Sequence, residues 1–391
     1  MYDRGFSTAY FILCVVALLA MFSTSLIIPL IPIYAKRIGA TGIVIGFAVA
    51  GYWVSRILME VPSGLMSQRF GYFASMVVGL SLNVVGTALC AFAVNPFQFI
   101  LARSLMGIGA PLFFAVAMTF ILNLFDTEKR GGAMGVFQGI EFVGTIVGST
   151  FSGYIASVFN FGASFFLSAG LILVAALLLV LTPQIRTKGE RMAPTKTLSL
   201  SEMQKVFWNR NLLIVSSTTF AEFIMSTGVL MTVFPLYATE GLEFSLTNVG
   251  LLMGGRSIGF VIAMFTMGII SDRVGRRPVL FFGVAATGVL MVVMSKANSF
   301  LSLLVIIFLL GITTGAIWIV CPVLAAESVA PDYRGAAVGT YRTFFDLGSI
   351  LGPILMSTVM DRYGIVPCFY IASALLFTNL IPVLRLNEIG R

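Results

Sequence analysis

The sequence predicts an all-α membrane protein with twelve transmembrane helices arranged as two six-helix parallel repeats, and three observations carry that expectation. Of its 391 residues, 58% are hydrophobic and only 10% are charged, where a soluble chain carries about 25% charge. Apolar runs alternate with short polar breaks at the length a bilayer demands; each crossing takes roughly 20 apolar residues, so twelve use about 260 to 300 positions and leave no room for a large soluble domain. The second half also repeats the first at a nearly constant offset, as shown below.

The apolar runs place spans near residues 8–35, 42–67, 73–94, 97–124, 132–158 and 162–182, then 211–238, 245–270, 278–296, 299–326, 336–360 and 365–384. Residues 1–185 thus form one six-helix bundle, 186–210 a cytoplasmic linker and 211–391 a second bundle. The run that follows Arg4 is too long for a signal-peptide core and lacks a small-residue cleavage site, so it reads as the first span. Within the linker, Ser199-Leu200-Ser201-Glu202 has the pattern of a helix start, suited to a short interfacial helix ahead of span seven.

Charge fixes the orientation. With both termini inside, 16 of the 24 Lys and Arg residues fall on the inner side, 4 in outer loops and 4 within spans. That bias places the N- and C-termini in the cytoplasm, in a multi-pass protein of the cytoplasmic membrane. The net charge of +8 is explained by these inner loops and calls for no nucleic acid. No His is present, and the four cysteines lie in apolar stretches without a C-x-x-C, so neither a metal site nor an imidazole proton relay is expected. No phosphate-binding G-x-x-x-x-G-K-[ST] loop occurs, which argues against an ATP-driven pump. No nucleophile stands beside a base, so the chain does not read as an enzyme and no cofactor is expected.

The repeat is explicit. Gly64, Arg69 and Gly71 recur as Gly268, Arg273 and Gly275; Arg130-Gly131 recurs as Arg334-Gly335; and Gly135, Gly144 and Gly148 recur as Gly339, Gly348 and Gly352, all 204 residues on. Pro32-Ile33-Tyr34-Ala35 recurs as Pro235-Leu236-Tyr237-Ala238 with an offset of 203. Six spans per unit is an even number, so both halves share one orientation, as parallel repeats do.

Four motifs give the chain its resemblance to the major facilitator superfamily, and most of all to its twelve-span drug and metabolite:proton antiporters. The loop after span eight, Gly268 to Arg277, fits G-x-x-x-D-R-x-G-R-R at every position through Asp272, Arg273, Gly275, Arg276 and Arg277. Its twin after span two keeps Gly64, Arg69 and Gly71 but has Gln68 for the acid and Tyr72-Phe73 for the basic pair. Span four carries Arg103 ahead of Gly107 and Gly109, similar to the family's buried-arginine motif, and spans five and eleven carry G-x8-G-x3-G. The resemblance implies that the two loops latch one conformation. In physical terms, glycine serves where a tight turn would crowd a side chain, Asp272 can accept from Arg273 or Arg276, and the Gly series lets a neighbouring helix come close. Family antiporters with Gly-Pro in span five have Gly148-Ser149 as their counterpart here, a departure from the antiporter pattern.

Charges inside spans are costly, at about 2.5 to 3.5 kcal/mol each near mid-bilayer, so each needs a reason. Arg56 and Asp346 lie at one depth and Glu60 and Arg342 at another; in the family fold spans two and eleven meet, which implies Arg56–Asp346 and Glu60–Arg342 pairs that rearrange during transport or merely orient the halves. Glu141 on span five and Arg256 on span eight mark the opposite seam. Glu222 on span seven has no obvious partner and is a candidate proton carrier or cation site. Arg103 reads as structural or coupling. Phe113, Phe114, Phe234, Tyr237 and Trp318 fall on spans that line the family's cavity.

These readings point to a secondary transporter, acting as a monomer, that moves a small amphipathic drug or metabolite by alternating access, with proton-coupled efflux as the leading mode. The alternative is an organic-anion uptake or exchange carrier that uses Arg56, Arg256 or Arg342.

Overall fold

The computed structural model describes residues 4–188, 207–330 and 333–386, and every regular element among them is a helix. The expected linker helix at Ser199 to Glu202 lies outside the described residues. Span one runs Arg4–Ile27, passes through a tight turn at Ile28–Leu30 and continues as Ile31–Arg37, where Pro29 and Pro32 interrupt the amide ladder. Spans two to six are Ile43–Phe70, Tyr72–Phe92, Pro96–Leu124, Thr127–Val158 and Phe161–Val180. After a short helix at Pro183–Lys188, span seven begins at Arg210, and spans eight to twelve are Leu246–Val274, Arg276–Met294, Phe300–Glu327, Arg334–Tyr363 and Val366–Val383. Among the described residues, 11 helices are long and apolar enough to cross a bilayer. The twelfth, span five, has 32 residues, but its glycines together with Gln138 and Glu141 lower its mean hydropathy.

The chain forms two compact units. The first comprises Met1–Ala40, Phe47–Pro194 and Ser245–Gly254; the second comprises Thr41–Gly46, Thr195–Phe244 and Gly255–Arg391. In the first, span one packs along spans five and six, and span three along spans four and six. Leu13, Phe113, Phe120, Phe137 and Ile172 form part of its core. In the second, span seven packs on spans ten, eleven and twelve, and span nine on ten and twelve.

Glycines set the closest approaches, and they do so equivalently in the two units. A methyl group on Gly144 would lie 2.6 Å from the Leu18 carbonyl oxygen of span one, and one on Gly148 would overlap that of Phe22. The repeat counterparts Gly348 and Gly352 abut the Phe220 and Ile224 carbonyls of span seven, each at 2.7 Å. Gly107 lies under the Tyr52 carbonyl just as Gly311 lies under that of Arg256, 204 residues on. By contrast, Gly135 and Gly339, the first glycines of their motifs, have open space around them. The turn glycines also divide. Gly71 and Gly275 open spans three and nine at φ +84° and +106°, a backbone region that disfavours side chains. Gly64 meets nothing, so the crowding expected there is absent.

The C-terminal ends of spans one and seven are tied in the same repeated way. Tyr34 donates to the Ala93 carbonyl at 3.0 Å and Tyr237 to the Ala297 carbonyl at 3.2 Å. Asn95 and Ser299, again 204 apart, each accept from the backbone N–H three residues on and so cap spans four and ten.

Span seven departs from regular geometry. It is α-helical over Arg210–Phe223, π-helical over Ile224–Val233, briefly α over Phe234–Leu236 and π again over Tyr237–Gly241. Pro235 has no N–H to donate to the α ladder, and the wider π turn re-satisfies the carbonyls around it. The side chain of Thr232 follows that geometry, donating at 2.7 Å to the carbonyl of Thr227, five residues back. Gly228 lets this thicker helix sit on the Gly352 backbone.

Candidate functional site: buried charges in two helical units

In the C-terminal unit, Glu222 is 4% exposed and stands at the last α-helical turn of span seven before the π stretch. Arg256 on span eight donates through Nη2 to Ser226 Oγ at 2.8 Å. Glu222 and Arg256 act on each other electrostatically, so the expectation that Glu222 lacks a basic partner is corrected. Within its own unit Arg256, assigned from the sequence to a seam with Glu141, reaches Ser226 and Glu222. A depth count assumes a uniform α-helix, whereas the π stretch turns Ser226 toward span eight. Gly311 admits the Arg256 backbone against span ten. Cys321, Tyr341 and Arg256 all lie within electrostatic reach of Glu222. Beside this polar cluster, Phe223 meets Phe345 edge-on at 4.0 Å, and Trp318 stands 5.8 Å from Phe223, 5.7 Å from Phe345 and 6.2 Å from Phe260.

In the N-terminal unit, Arg103 is 3% exposed. Its guanidinium lies 5.1 Å above the Tyr52 ring and near Cys90, with one long contact to Met106 Sδ, and its Nε has no hydrogen-bond partner. A cation over an aromatic face is partly compensated, yet among the described residues no carboxylate pairs with it. Glu141 is 8% exposed, and its Oε1 has no hydrogen-bond partner. Of the two acids, Glu141 and not Glu222 is the one without a basic partner among the described residues. Arg56 packs over Trp53 at 5.2 Å and reaches Glu60 one turn on at 3.9 Å. In the C-terminal unit Asp346 is 3% exposed, whereas Arg342 is exposed.

Among the aromatic residues, Trp318 joins the ring cluster beside Glu222. Phe113 and Phe234 are fully buried, Phe114 packs on Phe113 at 4.9 Å, and the Tyr237 hydroxyl is engaged at Ala297.

The loops after spans two and eight show the sharpest asymmetry. Arg276 pairs with Asp272 at 3.5 Å and with Glu327 at the end of span ten, while Arg277 donates to the Leu384 carbonyl. In the first unit the positions 204 residues earlier are Gln68, Tyr72 and Asn123. There Asn123 Nδ2 donates to the Tyr72 hydroxyl at 2.7 Å. A neutral hydrogen bond thus stands where the repeat has a charged pair. The family motif ends before Glu327, which the sequence reading missed; applying the repeat offset to Asn123 would have found it. Arg69 lies over Phe70 at 5.4 Å.

Residues 13–227 and 217–389 each match the family model of the Major Facilitator Superfamily. The multidrug resistance protein MdtG of Klebsiella pneumoniae is 24% identical over 371 residues, covering 91% of this chain and 88% of that protein. Among solved structures, the nucleoside transporter NupG superposes with a TM-score of 0.81 at 14% identity, over 97% of this chain and 99% of that one. A bacterial homologue of the human lysosomal transporter Spinster, inward-facing and unoccupied, gives 0.80 at 13% identity over the full length of both chains.

Proposed function

The chain belongs to the Major Facilitator Superfamily, and from that premise we propose that it exports a small amphipathic molecule across the cytoplasmic membrane in exchange for protons, as a monomer with both termini in the cytoplasm. The observation that carries this reading is the buried Glu222 beside Arg256 and Ser226, next to the Trp318 ring cluster. A proton and a cationic or dipolar substrate compete for one carboxylate, so binding of one favours release of the other. Arg256 holds the vacant carboxylate in place, and when Glu222 is neutralised its guanidinium turns to Ser226 and the rings supply apolar contact. The name of the MdtG relatives accords with an amphipathic substrate.

Alternating access follows from rocking of two six-helix units, and the Asp272–Arg276–Glu327 cluster acts as the inner latch. Positive charge concentrated on the inner side supports the orientation. A second reading, an organic-anion carrier, is favoured by one observation: the Arg103 guanidinium has no carboxylate partner among the described residues. Proteoliposomes with an imposed pH gradient test the choice. Gradient-dependent accumulation of ethidium supports proton-coupled export, and gradient-independent uptake of an aromatic carboxylate supports the anion carrier.

A further inference from the structure

From the seam between spans one and five we infer that Glu141 is a second proton-binding site, in the N-terminal unit and separate from Glu222. Three observations carry it. Glu141 shares a helix face with Gly144 and Gly148, three and seven residues on, and those glycines lie against the Leu18 and Phe22 carbonyls of span one. One turn inward of Leu18 on that helix is Cys14, which lies within electrostatic reach of Glu141, and a further turn inward Tyr10 donates to the Ala133 carbonyl at 2.6 Å. The carboxyl is therefore enclosed in a helix–helix seam built otherwise of glycine, thiol and apolar groups.

Among the described residues Glu141 makes no ion pair, and the charged groups on the helices packed against span five are otherwise engaged. Span eight, whose Gly250 and Gly254 lie against Gly153 and Thr150, carries Arg256, which donates to Ser226. Span one brings Cys14, the short turn after it brings no ionisable side chain, and span six has none. Span four brings Arg103, which is engaged with Tyr52 and Cys90. Glu141 Oε1 is buried and without a partner. A carboxyl so placed is stable when a proton neutralises it and costly when it does not.

The repeat shows that this position in the seam has no need of an acid. The counterpart of Glu141, 204 residues on, is Phe345, which fills the corresponding place against span seven by packing on Phe223 at 4.0 Å. At this helix pair the first unit holds one buried acid, Glu141 on span five, and the second holds two, Glu222 on span seven and Asp346 on span eleven; Glu222 has Arg256 within electrostatic reach, whereas Glu141 makes no ion pair among the described residues. Glu141 thus adds one proton to the cycle proposed for Glu222, a role that rests on that reading; the proton binding itself does not.

The test uses the full chain in lipid nanodiscs and infrared difference spectra between acid and alkaline buffer. Wild type is expected to show the C=O stretch of a protonated buried carboxyl; Glu141→Gln loses that component, and Glu222→Gln keeps it. Glu141→Asp, which retains an acid if the amide fails to fold, is expected to move the band rather than remove it. An unchanged spectrum in Glu141→Gln, or an unmoved band in Glu141→Asp, overturns the site. In proteoliposomes, ethidium accumulation per unit of pH gradient is expected to fall from about 100-fold to about tenfold in Glu141→Gln, since one proton carries a factor of about ten per pH unit. Should ethidium accumulation ignore the gradient while the Glu141 band persists, proton-coupled export fails and the proton site stands.

Discussion

Replacing Arg256 with Met keeps an unbranched but shorter side chain and removes its charge, which leaves Glu222 buried without its counter-charge. The two groups act on each other electrostatically, and two unit charges about 5 Å apart at an effective dielectric constant of about 20 attract by about 3 kcal/mol. The lost hydrogen bond to Ser226 adds about 1 kcal/mol, which brings the expected cost to the range of about 3 to 5 kcal/mol found when a buried pair is broken on one side. Adding Glu222→Gln removes the orphaned charge, so the double variant should recover about 3 kcal/mol of the loss. The protein carries its own probe: Cys14, Cys90, Cys321 and Cys368 are all free and buried, so a thiol-reactive fluorophore reports thermal unfolding in detergent. Additivity of the two single changes within about 0.5 kcal/mol would show that the groups do not interact and would remove Arg256 from the site.

Other expectations follow from the packing and the loops. Gly107→Ala and Gly311→Ala each drive a methyl group into a facing carbonyl and should cost about 1 to 3 kcal/mol. Gly135→Ala and Gly339→Ala meet open space and should be neutral or gain up to about 1 kcal/mol; the same fluorophore assay ranks all four, and equal losses would contradict the packing. At the inner latch, Glu327 is half as exposed as Asp272, so Glu327→Gln should shift the ratio of inward-open to outward-open molecules about fivefold, equivalent to about 1 kcal/mol, and Asp272→Asn by less. Spin-label distances across the inner face measure that ratio, and an unchanged distribution in both variants reduces the loop to a topology signal. Tyr34→Phe and Tyr237→Phe each remove one tie at the outer end and should lower stability by similar amounts of about 1 kcal/mol.

The spans were legible because bilayer crossing imposes length on every helix and marked apolarity on 11 of them among the described residues, while span five, diluted by glycines, Gln138 and Glu141, was recognisable from its repeat in span eleven. The repeat carried further than the motifs did: the 204-residue offset that pairs Gly144 with Gly348 and Gly148 with Gly352 corresponds to equivalent close approaches in the structure. Other features were hidden for physical reasons. The π stretch of span seven follows from how Pro235 and Gly228 are accommodated by neighbouring helices, and a residue count at 1.5 Å per step cannot register it; hence the partnership of Glu222 with Arg256 was missed. The unpartnered state of Glu141 is a fact about span one's small and apolar face, not about span five. Tyr72 and Asn123 look unrelated in the sequence because a neutral pair leaves no charge signature, and their meaning emerges only beside Arg276 and Glu327.

The most direct measurement of proton-coupled exchange at Glu222 compares two transport modes of Glu222→Gln in proteoliposomes, with ethidium as the probe. The amide keeps the size and most of the hydrogen bonding of the protonated acid but takes up and releases no proton. Accumulation driven by a pH gradient should collapse to the level of empty liposomes, while downhill ethidium exchange continues, because the rocking of the units does not itself require the titration. Gradient-driven accumulation at the wild-type level would contradict the assignment and place the exchange of proton for substrate elsewhere in the protein.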